Sequence, residues 1–155
     1  MRYKSLKEIC EIGAKDGVPF WKVIQRDDCT ERQAEESEVF EAMRNMYRAM
    51  KHADEVYTGT RKSNSGMVGG DGKRLEQYVA SGKAMSGAFI GKVMERAVKM
   101  AESNACMRRI VAAPTAGSCG VLPAVLLTYA EQMNGDEDRI VEALYTAAGI
   151  GQVIA

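Results

Sequence analysis

The chain has 155 residues, 46% of them apolar, and carries 21 basic and 21 acidic side chains. This predicts one domain, residues 1–155, with enough apolar side chains for a packed core. The balanced charge points to no nucleic-acid or anionic-membrane partner, and no apolar run approaches the roughly 20 residues that span a bilayer. Because the charged N-terminus lacks a signal-peptide core, we expect a cytoplasmic protein.

Apolar residues at helical spacing fill the first part of the chain. Ser5 is a candidate N-cap for a first helix, which Gly17 can end. Pro19 suits the first turn of a short second helix. Thr30 followed by Gln33 fits a capping box, which predicts that a third helix starts there.

The third helix has the strongest periodic pattern in the sequence. Its apolar residues recur at spacings of three and four and predict an amphipathic helix of about seven turns, ending near Gly59. These residues are Phe40, Met43, Tyr47, Met50, Ala53 and Tyr57. The opposite face carries charges, among them His52 and a glutamate cluster, and we interpret both as solvated.

A glycine- and serine-rich loop interrupts the helical pattern at residues 60–73. Helical spacing resumes at Leu75 and stops near Gly82, and another helix covers residues 89–101. The segment 108–113, RRIVAA, has the composition of a short extended piece.

A second loop follows Pro114, which biases the preceding residue away from helix. Pro123 then lies near the start of a helix that ends before Gly135. Asp136 can cap a last helix. The pattern as a whole predicts an all-α fold with two loops of functional interest and little or no strand.

Small polar residues stand where a helix begins, from Thr115 to Gly120. A helix start presents unpaired N–H groups and about half a positive charge, and Thr115 and Ser118 add hydroxyl donors. Residues 103–130 contain no Asp or Glu but two arginines. The stretch can therefore receive a small carboxylate or phosphate, whereas the missing GK[ST] sequence disfavours a nucleotide. The simpler alternative is a tight turn with a helix cap.

The four cysteines form no CxxC pair, and the chain has a single histidine, which argues against a Cys/His zinc site. We expect reduced thiols, as in a reducing compartment. Cys119 lies just before a predicted helix, a position that can lower a thiol pKa. It is open to three interpretations: a nucleophile, a metal ligand or a buried small side chain.

The earlier loop, Lys62–Asp71, also has two interpretations. It offers the hydroxyls of Ser63 and Ser65 and a Gly69-Gly70 pair that permits positive φ. It can close over a ligand, or it can be a surface connection in which Asp71 serves as an N-cap.

The two loops together resemble a known family. SGMVGGDGKRLEQY and AAPTAGSCGVLPAV, in this order, are similar to the α chain of the iron–sulfur-dependent L-serine dehydratases. The opening MRYKSLKEICEIGAKDGVPFWKVI resembles the start of that chain in bacteria with separate α and β subunits. The closing AAGIGQVIA resembles the segment that leads into the cluster-binding region.

The resemblance implies a lyase that uses a [4Fe–4S] cluster as a Lewis acid toward the serine hydroxyl. A base removes the α-proton, hydroxide leaves, and the enamine decays to pyruvate and ammonia. The loops that match residues 63–71 and 115–119 would line the site and hold the substrate. The substrate-binding residues so implied are Thr115, Gly117 and Ser118, followed by Ser63, Ser65 and Gly66.

The family pattern also implies parts that this sequence lacks. Its cluster cysteines are expected beyond Ala155, and a substrate-site histidine belongs to the β chain. Cys119 is a weak metal candidate, because relatives can carry alanine there. We therefore expect no metal within the 155 residues, a chain truncated before the cluster-binding region, and no activity from it alone. L-serine and the β chain are the expected partners, a homo-oligomer is left open, and no residue is named as the base.

Two hypotheses compete with the lyase. The apolar C-terminal end and the ten methionines fit a helical interaction or regulatory module that docks a partner chain without chemistry of its own. A thiol enzyme that uses Cys119 is the other.

Overall fold

The structure is a computed structural model that describes residues 3–154, a range with seven helices and no strand, which confirms the all-α fold class. The helices are α1 (Leu6–Asp16), α2 (Phe20–Arg32), α3 (Glu36–Glu55), α4 (Asp71–Ala80), α5 (Gly87–Ala105), α6 (Val121–Gln132) and α7 (Glu137–Ile154). Within the described range, none combines the length and the apolar character of a membrane-crossing helix.

The helices group into two compact units. The first contains α1, α2, the start of α3 and all of α7, and the second is Tyr47–Gly135 with α4, α5 and α6. This division into two units does not test whether residues 1–155 form one domain, so the single domain stays a prediction.

The first unit begins with the predicted caps. The hydroxyl of Ser5 accepts a hydrogen bond from the Glu8 N–H at 3.2 Å, and Gly17 ends α1 with a left-handed φ of 67°. Both predictions are confirmed. Tyr145 of α7 is 1% exposed and donates its hydroxyl to the Val39 carbonyl at 2.8 Å. The remaining buried residues of this core are Tyr3, Ile9, Val23, Ile24 and Val141.

The capping box at Thr30 is wrong. Helix α2 continues to Arg32, and the Thr30 hydroxyl donates to the Arg26 carbonyl at 2.9 Å, four residues back. Gln33 is the left-handed C-cap of the same helix. A threonine can bond backwards within a helix as readily as it caps one, so the motif alone is ambiguous. Helix α3 therefore starts later than predicted. It also ends earlier, at Glu55 and not near Gly59, so it has 20 residues, about five and a half turns.

Charged side chains join the helices of the second unit. The Lys99 ammonium, on a side chain only 11% exposed, lies 2.6 Å from Glu95 on the same helix and 2.8 Å from Glu76 on α4. On another side of α5, Arg96 pairs with Asp54 at 3.1 Å and with Glu131 of α6 at 2.6 Å. The position of α5 is thus fixed against its neighbours by ion pairs as well as by packing.

Helix α6 is apolar on two faces. One face is buried, with Ala124 and Leu127 no more than 5% exposed. The other face, which we call the apolar row, is about half exposed and has a residue at every fourth position. Its members are Val121, Val125, Tyr129 and Met133.

The segment 108–113 forms no strand. A strand needs a neighbour for its backbone hydrogen bonds, and the described residues contain no second one.

Candidate functional site

The loop that precedes α4, residues 62–70, is closed by its own hydrogen bonds. The Ser63 N–H donates to the Val68 carbonyl at 2.9 Å, and the Val68 N–H donates to the Ser63 hydroxyl at 3.2 Å. The Ser63 and Ser65 hydroxyls lie 3.1 Å apart. Gly66, with a φ of 73°, makes the turn at the exposed tip.

The Gly69-Gly70 pair has the positive φ angles that the sequence predicted, 132° and 92°. A Cβ at Gly69 would lie well inside 3.0 Å of the Arg61 carbonyl oxygen, closer than real Cβ contacts come. The Lys62 ammonium donates to the Gly69 carbonyl. Glycine at position 69 is therefore required both by φ and by the close approach of the two backbone segments.

A protein carboxylate already occupies the N-terminus of α4. Glu102 of α5 is 4% exposed, and its carboxylate accepts the Asp71 N–H at 2.6 Å and the Tyr57 hydroxyl. The backbone N–H groups of Gly70 and Gly72 also favour its charged form. Burial alone raises the pKa of Glu102, but these donors outweigh it and hold the pKa below its usual range.

This arrangement corrects the prediction for Asp71. Gly70 is the N-cap of α4 and Asp71 is its first residue, and no side chain from the N-cap position bonds the helix. Glu102, 31 residues away along the chain, takes that role instead. The anion-receptive start of α4 is thus filled from within the protein.

The second loop is a turn held by two hydroxyls. The Thr115 and Ser118 hydroxyls lie 2.9 Å apart, and the Ser118 N–H donates to the Thr115 hydroxyl at 3.2 Å. Thr115 and Gly117 are exposed and Ser118 is half-buried. The structure thus contains the predicted tight turn.

The start of α6 offers fewer free donors than the sequence argument assumed. The Val121 N–H is used within the turn, where it donates to the Ser118 carbonyl at 3.0 Å, and Pro123 has no N–H. Gly120 is the N-cap, and no side chain caps the helix from that position. The hydroxyls of Thr115 and Ser118 are therefore better placed to meet a ligand than the helix N-terminus itself.

Cys119 lies in the core of the second unit. It is 1% exposed and packs with Ala53 and Met100. Burial raises the pKa of its thiol, the opposite of the lowering that a helix start can cause. Of the three interpretations, the buried small side chain matches this environment.

Both loops are bonded to the last turn of α5. Glu102 binds the residues that follow the 62–70 loop, and the Asn104 side-chain amide donates to the Ala116 carbonyl at 2.8 Å. Residues two apart on a helix do not face each other, so the two bonds reach the loops from different sides of α5.

The sequence analysis missed Glu102 and Asn104, although a signal was present. Glu95, Lys99 and Glu102 follow one another at spacings of four and three, the spacing of one helix face. All three are buried. Charged residues at that spacing are usually solvated, and only the packing of α4 against α5 makes this face an interior one.

A cavity of about 80 Å³ lies beside the Glu102 carboxylate, and its lining includes Tyr57, Arg61 and Arg108. Arg108 follows the C-terminal end of α5, where a cation offsets the negative end of the helix dipole. A second cleft, which shares Arg108 with this cavity, is lined by Arg108, Arg109 and the exposed His52. The position of Arg108 is thus explained by the helix end.

Comparison with known proteins agrees with the resemblance found in the sequence. Residues 15–155 match the family model "Serine dehydratase alpha chain". The chain is 31% identical over 153 residues to the probable L-serine dehydratase alpha chain of Bacillus subtilis. The aligned region covers 99% of this chain and 51% of that protein. It is 33% identical over 150 residues to the L-serine dehydratase alpha chain of Peptoniphilus asaccharolyticus, covering 96% of this chain and 51% of that one.

A further relative is the L-serine dehydratase of Helicobacter pylori strain J99, 28% identical over 155 residues that make up 34% of that protein. No solved structure matches the chain. The chain spans about half the length of the alpha chains it resembles. The family match extends over nearly the whole sequence and includes both loops, and the chain therefore belongs to the serine dehydratase alpha chain family.

Proposed function

We propose that this chain is part of a cytoplasmic L-serine dehydratase, which converts L-serine to pyruvate and ammonia, and that its two loops contribute to the substrate site. The observation that carries this proposal is the anchoring of both loops to one turn of α5. Because the chain spans about half of its alpha-chain relatives, we propose that the rest of an α chain and a β chain complete the enzyme.

The loop hydroxyls are suited to bind the carboxylate and ammonium of serine. Thr115 and Ser118 bond each other at 2.9 Å, as Ser63 and Ser65 do at 3.1 Å, and each hydroxyl can rotate to donate to a ligand. A glycine beside each pair, Gly66 after Ser65 and Gly117 before Ser118, leaves space for the ligand. A Cβ at Gly66 would meet nothing within 4 Å, and one at Gly117 would meet only the Thr115 hydroxyl, at 3.8 Å.

The proposed [4Fe–4S] cluster, a Lewis acid for the departing hydroxide, does not fit the residues described here. No group of three or more His, Cys, Asp or Glu side chains within residues 3–154 is arranged to hold a metal ion. Cys119 is buried in the core and Cys10 is exposed on α1. We therefore place the cluster ligands outside this chain and assign no step of the reaction to its cysteines.

The test is Thr115→Ala in the complete dehydratase. Loss of a hydroxyl that binds the substrate should reduce kcat/KM for L-serine by about 10- to 100-fold, equivalent to roughly 1.4–3 kcal/mol. Thr146→Ala is the matched control, because the Thr146 hydroxyl donates to the Glu142 carbonyl within α7. An unchanged kcat/KM in Thr115→Ala would remove Thr115 from the site.

Assays of the unmodified proteins test the wider proposal. The complete enzyme should form pyruvate from L-serine, and the 155 residues alone should not. Pyruvate from the 155 residues alone would show that the catalytic set is already complete.

A second candidate function is favoured by the apolar row of α6. A helix that is apolar all round is usually buried, yet α6 leaves one face about half exposed. This fits a module that docks a partner chain, with the loops serving structure only. Tight binding to a β chain together with a silent Thr115→Ala variant would support the module over the lyase.

A further inference from the structure

We infer that the last turn of α5 acts as a common anchor through Glu102 and Asn104, two positioning residues that hold the two substrate loops in register. This inference rests on the proposed function, since it assumes that both loops serve one substrate site. Neither residue is placed against the substrate, so each would act through the backbone that it holds.

The Glu102 arm holds the 62–70 loop where it enters α4. Its carboxylate accepts the Asp71 N–H at 2.6 Å, and the Gly70 and Gly72 N–H groups also contribute. The Tyr57 hydroxyl donates to it from the chain that follows α3. The backbone fits closely around this group, because a Cβ at Gly72 would come within 2.7 Å of the Tyr57 hydroxyl. The carboxylate thus holds the backbone at Asp71, directly after the loop.

The Asn104 arm holds the second loop at its centre. Its side-chain amide donates to the Ala116 carbonyl at 2.8 Å, and Ala116 lies between Thr115 and Gly117. The remaining hydrogen bonds of this turn join residues of the turn to each other or to α6, as those of Ser118 do. Asn104 therefore ties the turn to α5.

The two arms are coupled because they leave the same helical turn. Helix α5 is fixed in turn by the Lys99 pair with Glu76 of α4 and by the Arg96 pair with Glu131 of α6. The 62–70 loop leads into α4 and the second loop leads into α6, and both of these helices pack on α5. Helix α5 therefore supports both loops. A shift of about 1 Å in either loop would suffice to misplace a bound substrate and to slow its reaction by up to roughly 100-fold.

The experiment compares Glu102→Gln and Asn104→Asp in the complete dehydratase. Each variant keeps the shape of the side chain and weakens or removes the bonds described above. The glutamine variant loses the negative charge and one of the two acceptor oxygens that meet the Asp71 N–H and the Tyr57 hydroxyl, and the aspartate variant offers only acceptor oxygens to a carbonyl. We expect kcat for L-serine to fall about 10- to 100-fold in each variant. In the double variant the loss should be smaller than the product of the two, since both disturb the same alignment.

The matched control is Glu95→Gln. Glu95 lies on the same helix, is 2% exposed and pairs with Lys99 and Lys92, but it bonds neither loop. This variant should lower the melting temperature and leave kcat unchanged. If Glu102→Gln and Asn104→Asp also lose stability but keep kcat, their role is structural only and the inference is wrong.

Hydrogen exchange in the 155-residue chain separates this inference from the proposed function. Glu102→Gln should speed exchange at residues 70–72 at least about tenfold, and Asn104→Asp should do so at residues 116–118, with no such change in Glu95→Gln. If Glu102→Gln fails to fold, Glu102→Asp takes its place, because the side chain shorter by one CH2 keeps the charge but withdraws the carboxylate from the Asp71 N–H. Unchanged exchange would overturn the inference. If the exchange rates change as expected but the unmodified complete enzyme forms no pyruvate from L-serine, the proposed function is refuted instead.

Discussion

Replacing Gly69 by alanine tests the account of the 62–70 loop most directly. The φ of 132° at this position lies far from the left-handed region near 57° that other residues enter, and residues forced into such regions cost about 1–3 kcal/mol. The new Cβ would also press against the Arg61 carbonyl, well inside 3.0 Å. Together we expect a loss of about 3 kcal/mol. For a chain of this length that corresponds to a melting temperature lower by roughly 6–12 °C.

Gly66→Ala is the control within the same loop. Its φ of 73° is also positive, but a Cβ there would meet nothing within 4 Å, so only the conformational cost of about 1–2 kcal/mol remains. Thermal unfolding followed by circular dichroism should show a drop of roughly 2–8 °C. If the two variants melt at the same temperature, the close approach at Gly69 does not exist in solution and the described loop geometry is wrong.

Two further predictions concern charge and thiol chemistry. Hydrogen bonds from Lys73 and Lys99 lower the pKa of Glu76 from 4.5 to about 2, so its stabilising effect is complete above about pH 5 and is lost as the pH falls toward 2. After allowance for solvent around a side chain that is 31% exposed, charged Glu76 stabilises the fold by about 1–2 kcal/mol. In urea unfolding, the free energy of unfolding of Glu76→Gln should therefore fall less between about pH 5 and pH 2 than that of the unmodified chain. A mild alkylating agent should label Cys119 at least about tenfold more slowly than the exposed Cys10, with equal rates after denaturation. Faster labelling of Cys119 would restore the thiol-enzyme hypothesis.

The fold class and both ends of the first helix could be predicted because they depend on local chemistry. Ser5 and Gly17 act within one turn of the helix that they bound, so their effect is legible from a few neighbouring residues. Thr30 shows the limit of such reasoning. Its hydroxyl could either cap a new helix or donate to the Arg26 carbonyl, four residues earlier. It donates to Arg26 because α2 continues past Thr30.

The two loops could be predicted from the sequence, but the side chains that support them could not. Glycine and hydroxyl residues in a short run identify a loop that can approach a ligand closely. Glu102, in contrast, acts on a residue 31 positions away, and its spacing from Glu95 and Lys99 is shared by many solvated helix faces. The sequence also could not show that the N-terminus of α4 is occupied, because the group that occupies it, the Glu102 carboxylate, comes from α5.

The apolar row of α6 has a practical consequence for anyone who handles this chain. Four half-exposed apolar side chains at every fourth position form a stripe along the entire helix, the kind of surface that promotes association between copies. Salts such as sulfate and phosphate strengthen apolar contacts. Concentrated stocks in those buffers should therefore become turbid sooner than stocks in dilute chloride, and a lysine at Val125 or Tyr129 is the substitution that should keep them clear.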